Sequence, residues 1–165
     1  TSDNGLVTIT GGKWTSYRLM AEDTVDKAIE VCGLPKRKCV TKKFRIHGYR
    51  KNPDLTDHMY VYGSDEPKIL RLIEQEPALG EKLSQKFGYT LAEVVWAVRE
   101  EMAITLEDVL ARRVRMLFVD AREAMAAAPK AAAIMARELG RDQAWIDEQV
   151  KSFTDLAKNY IFEQK

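Results

Sequence analysis

Apolar positions recur every three or four residues along most of the chain and alternate in only two short stretches. Residues 6–10 (Leu-Val-Thr-Ile-Thr) form a β-like run that stops at Gly11-Gly12, and a helical pattern follows at once. Tyr17, Ala21, Thr24, Val25, Ala28 and Cys32 fall on one face at helical spacing, and Gly33 and Pro35 end the pattern. The second alternating stretch sets Val40, Lys42, Phe44 and Ile46 against Thr41, Lys43 and Arg45. From Pro53 onward the pattern is helical. Residues 56–62 predict a short helix closed by Gly63, and Ser64 caps a second that runs toward Glu74. A weaker helix spans 77–87, with Gly88 as its stop. Thr90 and Glu93 have capping-box spacing ahead of an apolar stripe of Leu91, Val94, Val95, Val98 and Met102. Thr105 and Asp108 repeat that start before Leu106, Val109 and Leu110. Asp120 and Glu123 open a short Ala-rich helix. Pro129 is placed as the first residue of the next, which Gly140 ends. Asp142 caps the last helix, with a stripe of Ile146, Val150, Phe153, Ala157 and Tyr160.

The two strand-like runs cannot satisfy their backbone groups alone and need a sheet. The shortage of partners predicts a domain outside the chain. The chain opens Thr1-Ser2-Asp3-Asn4-Gly5 without an initiator Met, as a segment of a longer protein would.

Composition adds mostly exclusions. The 165 residues suffice for a buried core, and 45% are hydrophobic, which argues against global disorder. The 26 basic and 25 acidic side chains give a net charge of +1, so any nucleic-acid or acidic partner would have to be argued from local clusters. No apolar run approaches the ~20 residues of a membrane span. Two cysteines, Cys32 and Cys39, are too few for a disulfide framework, and a cytoplasmic, reducing compartment is expected. With His47 and His58 they form no zinc spacing, so no metal site is expected.

The segment with chemistry in it is Thr10-Gly11-Gly12-Lys13-Trp14-Thr15-Ser16-Tyr17-Arg18. Two glycines let a backbone approach a flat or anionic ligand closely. The start of the following helix leaves unpaired N–H groups whose dipole favours negative charge. Lys13 adds a full positive charge there. A phosphate, a carboxylate or an electron-rich ring edge would all suit, although a two-glycine turn before a helix is also a common structural device.

The wording of two blocks narrows this. Thr-Ile-Thr-Gly-Gly-Lys-Trp-Thr-Ser-Tyr-Arg, continued by Met20-Ala21-Glu22-Asp23-Thr24-Val25-Asp26, resembles the C-terminal part of FAD-dependent, membrane-associated glycerol-3-phosphate dehydrogenases. So does Glu93-Val94-Val95-Trp96-Ala97-Val98-Arg99-Glu100-Glu101-Met102-Ala103 with Thr105-Leu106-Glu107-Asp108-Val109-Leu110-Ala111-Arg112-Arg113. The resemblance implies a mainly α, multi-helix C-terminal domain with a short N-terminal β segment left over from a missing FAD-binding α/β domain. Residues 1–15 would be that domain's last strand and flavin-facing loop, 16–53 the first helix and a basic extended connector, and 54–165 the helical domain. It also implies an enzyme that oxidises sn-glycerol 3-phosphate to dihydroxyacetone phosphate and passes electrons to quinone or oxygen, at the inner face of the cytoplasmic membrane. Gly11, Gly12, Lys13, Trp14 and Thr15 would lie at the flavin's pyrimidine edge, with Lys13 facing either the flavin or the substrate phosphate. Helix-start N–H groups and a nearby Lys would stabilise negative charge on the reduced ring. No Gly-x-Gly-x-x-Gly fingerprint occurs, so the chain alone is expected to lack the catalytic core, to bind FAD weakly at best and to hold no catalytic residue of its own.

Other features have plainer readings. Residues 36–51 hold eight Lys or Arg and no acid; they would suit anionic lipid, an acidic face of the missing domain, or solvent. Arg112, Arg113 and Arg115 after a capped helix invite a helix-turn-helix comparison, but the balanced charge and nearby acids favour pairing with Glu100, Glu101 or Asp108, and no nucleic-acid partner is expected. Cys32 is expected in the core, Trp14, Trp96 and Trp145 as packing residues, and neither histidine in catalysis. The competing class is a stand-alone helical interaction module, which the coding sequence upstream of Thr1 would distinguish.

Overall fold

The computed structural model describes residues 1–162 and divides into two compact units, Thr1–His47 and Gly48–Lys165. In the first unit a single 3-10 turn, Trp14–Ser16, leads directly into helix α1, Tyr17–Val31. None of its residues is buried. Gly33, at a φ of 62°, follows the end of α1. The strands expected at 6–10 and 40–46 do not form; neither run has a ladder partner among the described residues. Cys32, expected in the core, is exposed because α1 has no core to face.

The second unit contains the hydrophobic core. A 3-10 stretch, His58–Asp65, is kinked at Gly63 and passes into α2, Glu66–Gln75. The helix expected over 77–87 is only a 3-10 turn, Pro77–Gly80. Beyond it the chain doubles back: Leu83 N–H donates to the Tyr89 carbonyl at 2.8 Å and Leu91 N–H to the Glu81 carbonyl at 2.9 Å. Helix α3, Leu91–Glu100, starts with the Thr90–Glu93 capping box as predicted. Leu91 through Ala97 are all buried, so the first two turns of this helix are enclosed on every side. It stops at Glu100; Met102, expected on its apolar stripe, instead takes a φ of 57° and is 84% exposed.

The Thr105–Asp108 start also forms. Asp108 Oδ2 accepts from Thr105 N–H at 2.9 Å and Thr105 Oγ1 at 2.8 Å, and Thr105 Oγ1 accepts from Asp108 N–H at 3.2 Å. The turn that follows, Asp108–Arg113, is a π-helix, a wide turn often found at functional places. Arg115 has left-handed backbone (φ 58°, ψ 20°) and opens the short helix α4, Met116–Val119.

Helix α5, Ala121–Leu139, is continuous, whereas the sequence predicted two helices meeting at Pro129. Its inner face is Ala124, Ala127, Ala128, Ala131, Ala132, Met135 and Ala136, all buried. Small side chains let neighbouring helices approach closely, and α3 and α6, Gln143–Lys158, both pack on α5. That packing outweighs the one hydrogen bond a proline removes. Asp120 Oδ1 caps the start, accepting from the Arg122 and Glu123 N–H groups at 3.1 Å each; Gly140 at a φ of 64° ends the helix. Asp142 caps α6 as predicted, accepting from Trp145 N–H at 3.0 Å. Gln149 of α6 accepts from the Leu106 N–H at 2.9 Å, tying the residues that lead into the π-helical segment to α6.

Candidate functional site

The glycine loop of the first unit has the local form its sequence predicts. Gly11 and Gly12 have φ values of 84° and 96°, a region that side-chain-bearing residues rarely enter. A Cβ at Gly11 would meet nothing within 4 Å, so that backbone is open to an approaching ligand; a Cβ at Gly12 would collide with Met20. Ser16 closes the turn: its N–H donates to the Lys13 carbonyl at 2.9 Å, and its hydroxyl accepts from Lys13 N–H at 3.0 Å. The N–H groups that begin this helical run have no intrahelical acceptor. Gly11, Gly12, Lys13, Trp14 and Thr15 are all exposed. Trp14, expected as a packing residue, is 84% exposed, and its ring stacks on Tyr17 at 5.1 Å between centroids. By contrast Trp96 is buried and Trp145 packs against the core.

The second unit holds a constellation that the sequence reading missed. Glu93 is 1% exposed and lies at the first turn of α3. Its Oε2 accepts from Thr90 N–H at 2.7 Å and meets His58 Nε2 at 3.1 Å; its Oε1 accepts from Tyr62 OH at 3.0 Å. Burial, the Glu93 charge and its hydrogen bond hold the Tyr62 phenol well above its ordinary range and so keep it protonated. The hydrogen bond to Glu93, opposed by burial, raises the His58 imidazole above its usual value. The His58 ring edges Tyr89, with centroids 5.1 Å apart. Gly88 makes room for it: a Cβ there would stand 2.6 Å from His58 Nδ1. These groups form one wall of a cavity of about 310 Å³, also lined by Tyr60, Arg113, Arg115 and Phe118. One signal was available in the sequence: an acid inside Leu-Ala-Glu-Val-Val-Trp-Ala-Val must be buried if that helix is enclosed. The capping box explained Glu93 too readily.

Two of the three clustered arginines, Arg112 and Arg113, are taken up by carboxylates, as expected; among the described residues Arg115 is not. Arg112 pairs with Asp108 at 2.8 Å and Glu107 at 2.6 Å; Arg113 reaches the Glu101 carbonyl and lies 3.9 Å from its carboxylate. Burial pushes Asp108 upward, but the Thr105 and Ile104 hydrogen bonds and Arg112 win, and it titrates below the usual range. Among the described residues no group of three or more His, Cys, Asp or Glu is placed to hold a metal ion, and no helix is long and apolar enough to cross a membrane.

Residues 8–146 match the family described as the C-terminal domain of alpha-glycerophosphate oxidase. The chain is 34% identical to the probable mitochondrial glycerol-3-phosphate dehydrogenase of Caenorhabditis elegans, over 96% of this chain and 24% of that protein. It is 32% identical to the probable mitochondrial enzyme of Dictyostelium discoideum, over 97% of this chain and 27% of the relative. For the mitochondrial glycerol-3-phosphate dehydrogenase of Mesocricetus auratus the values are 33%, 98% and 24%. The chain thus spans about a quarter of the length of these curated relatives. No solved structure matches. The match across most of the chain shows that it belongs to the family of C-terminal domains of alpha-glycerophosphate oxidase.

Proposed function

We propose that the chain is the C-terminal domain of an FAD-dependent glycerol-3-phosphate dehydrogenase, an enzyme that oxidises sn-glycerol 3-phosphate to dihydroxyacetone phosphate and delivers electrons to quinone or oxygen. The observation that carries this reading is the family match over residues 8–146, which begins just before the Gly11-Gly12 turn. The residues present there fit a flavin edge. Gly11 is an open cradle, the helix start offers N–H donors, and Lys13 is an exposed cation. FAD, when bound, supplies the hydride acceptor. Gly11 and Gly12 would let the backbone approach the ring edge. The N–H groups of Trp14 and Thr15 would present partial positive charge, and Lys13 would add a full charge toward the ring or the substrate phosphate. Residues 1–15 would complete the flavin domain, 16–53 would connect it, and 54–165 would form the helical domain. The basic run at 36–51 supports peripheral attachment to anionic lipid at the membrane face where such an enzyme would meet quinone.

The 165-residue chain, purified without added cofactor, is expected to be colourless and unable to reduce a dye with glycerol 3-phosphate. Stoichiometric flavin and dye reduction from the chain alone would refute the division of labour proposed here. In the longer enzyme, Lys13→Ala is expected to lower turnover or flavin content about tenfold, the loss of one charge-assisted contact. Unchanged kinetics together with unchanged flavin content would remove Lys13 from the site.

A further inference from the structure

The cavity beside Glu93 is lined wholly by residues of the second unit, and the proposed flavin chemistry makes no use of it. Besides its tyrosines, four side chains that can carry charge near neutral pH line it: His58, Glu93, Arg113 and Arg115. Three of these are matched within the protein. Glu93 is satisfied by Thr90, Tyr62 and His58. His58 is held between Glu93 at Nε2 and Asp57, 3.4 Å from Nδ1. Arg113 binds the Glu101 carbonyl and stands near the Glu101 and Asp108 carboxylates. Arg115 differs: among the described residues no carboxylate lies within ion-pair distance of it, and its side chain is exposed at the cavity rim. It also has the left-handed backbone that glycine and asparagine favour, which an arginine adopts at some conformational cost. The remaining walls are aromatic or aliphatic: Tyr60, Tyr89, Phe118, Val61 and Val119.

We infer that this cavity is a binding site for a small aromatic carboxylate, whose carboxylate pairs with the Arg115 guanidinium while its ring lies among Tyr60, Tyr89 and Phe118. One unspent guanidinium calls for one negative charge, and its planar fork suits a carboxylate held by two parallel hydrogen bonds. A dianion would leave a charge unmatched, since the other two cations are already paired. A purely polar anion would leave the aromatic walls uncovered. The buried Glu93 has its hydrogen bonds filled, so it needs no cation; it fixes His58 and Tyr62, and through them the shape of the inner wall. A volume of about 310 Å³ has room for one or two fused rings.

The test is titration of the 165-residue chain with naphthoate, followed by amide and His58 imidazole NMR shifts. Acetate and inorganic phosphate serve as comparison ions. The expected result is saturable naphthoate binding, with shifts confined to residues around the cavity. Acetate and phosphate should bind at least about tenfold more weakly, the equivalent of losing one good contact. Arg115→Gln should weaken naphthoate about tenfold at an unchanged melting temperature, and Phe118→Ala should weaken it independently through loss of the ring contact. No saturable binding, binding unaffected by both substitutions, or phosphate binding as tight as naphthoate would each overturn the assignment.

Discussion

At the scale of single residues, His58, Glu93, Gly88 and Gly63 are the most sharply constrained. The raised His58 value has a definite sign for stability. A histidine with a higher pKa in the folded state stabilises the fold fully below its unfolded value of about 6.5, and that contribution disappears as pH rises through the folded value. His58→Ala should therefore destabilise most near pH 5–6, on the order of 1–2 kcal/mol for a hydrogen bond to a charged group, with the deficit shrinking above neutrality. Urea unfolding of both proteins across pH would show this; a deficit that grows with pH would be wrong in sign. Comparison with the variant is essential, because depressed carboxylates such as Asp120, with its backbone hydrogen bonds, and Glu123, bonded to Ser84, contribute stability above their unfolded values and lose it as pH falls. Gly63 is constrained by space. At φ 52° and ψ −119° a Cβ would overlap the Gly48 carbonyl oxygen, which itself accepts from Ser64 N–H at 3.3 Å. Gly63→Ala should cost about 3 kcal/mol or more, since rigid backbone lies in the way. A melting temperature within a degree of the parent's would contradict it. None of this was visible at Gly63 itself, whose sequence signal was only that of a helix stop; the collision partner is fifteen residues upstream.

Among the elements, what was legible followed from local chemistry. The Thr90–Glu93 and Thr105–Asp108 starts, the Asp120 and Asp142 caps and the Gly140 stop depend on hydrogen bonds within four residues, and all form. What failed depended on distant partners. The alternation at 6–10 and 40–46 marks segments able to pair, but pairing needs another strand. Pro129 carries the opposite lesson: its local signal is a helix start, yet α5 continues through it because both flanking turns are anchored by buried alanines. Pro129 is exposed, so replacing it would disturb no packing. Pro129→Ala restores an N–H donor to the interior of α5. It should raise stability by about 1–2 kcal/mol, the helix-interior penalty of proline less the entropy it removes from the unfolded chain. Equilibrium urea unfolding would measure it, and a loss of stability would mean that the ring makes contacts that outweigh its missing donor.

Over the whole molecule, the two units differ in what they bury. The second has a continuous core from Met59 to Ala157, whereas no residue of Thr1–His47 is buried. In that first unit Leu6, Leu19, Val25, Leu34, Val40 and Phe44 are all more than half exposed. A fifteen-residue helix without an apolar anchor is marginal in water, because nucleation is costly and side-chain packing supplies most helical stability. Its apolar side chains leave α1 dependent on packing that the first unit does not itself supply. On the function proposed above, the flavin domain would supply that packing. Hydrogen exchange separates this from a self-sufficient unit. In the 165-residue chain, amides of α1 should exchange within about tenfold of an isolated helix, while those in the middle of α3 and α5 should approach the protection set by global unfolding. In the longer enzyme, protection in α1 should rise by at least about a hundredfold, and the same change should appear in the Gly11-Gly12 turn that leads into it. If α1 is already as protected as α5 in the chain alone, its exposed apolar face needs no further surface, and the resemblance of the glycine loop to a flavin edge loses its physical support.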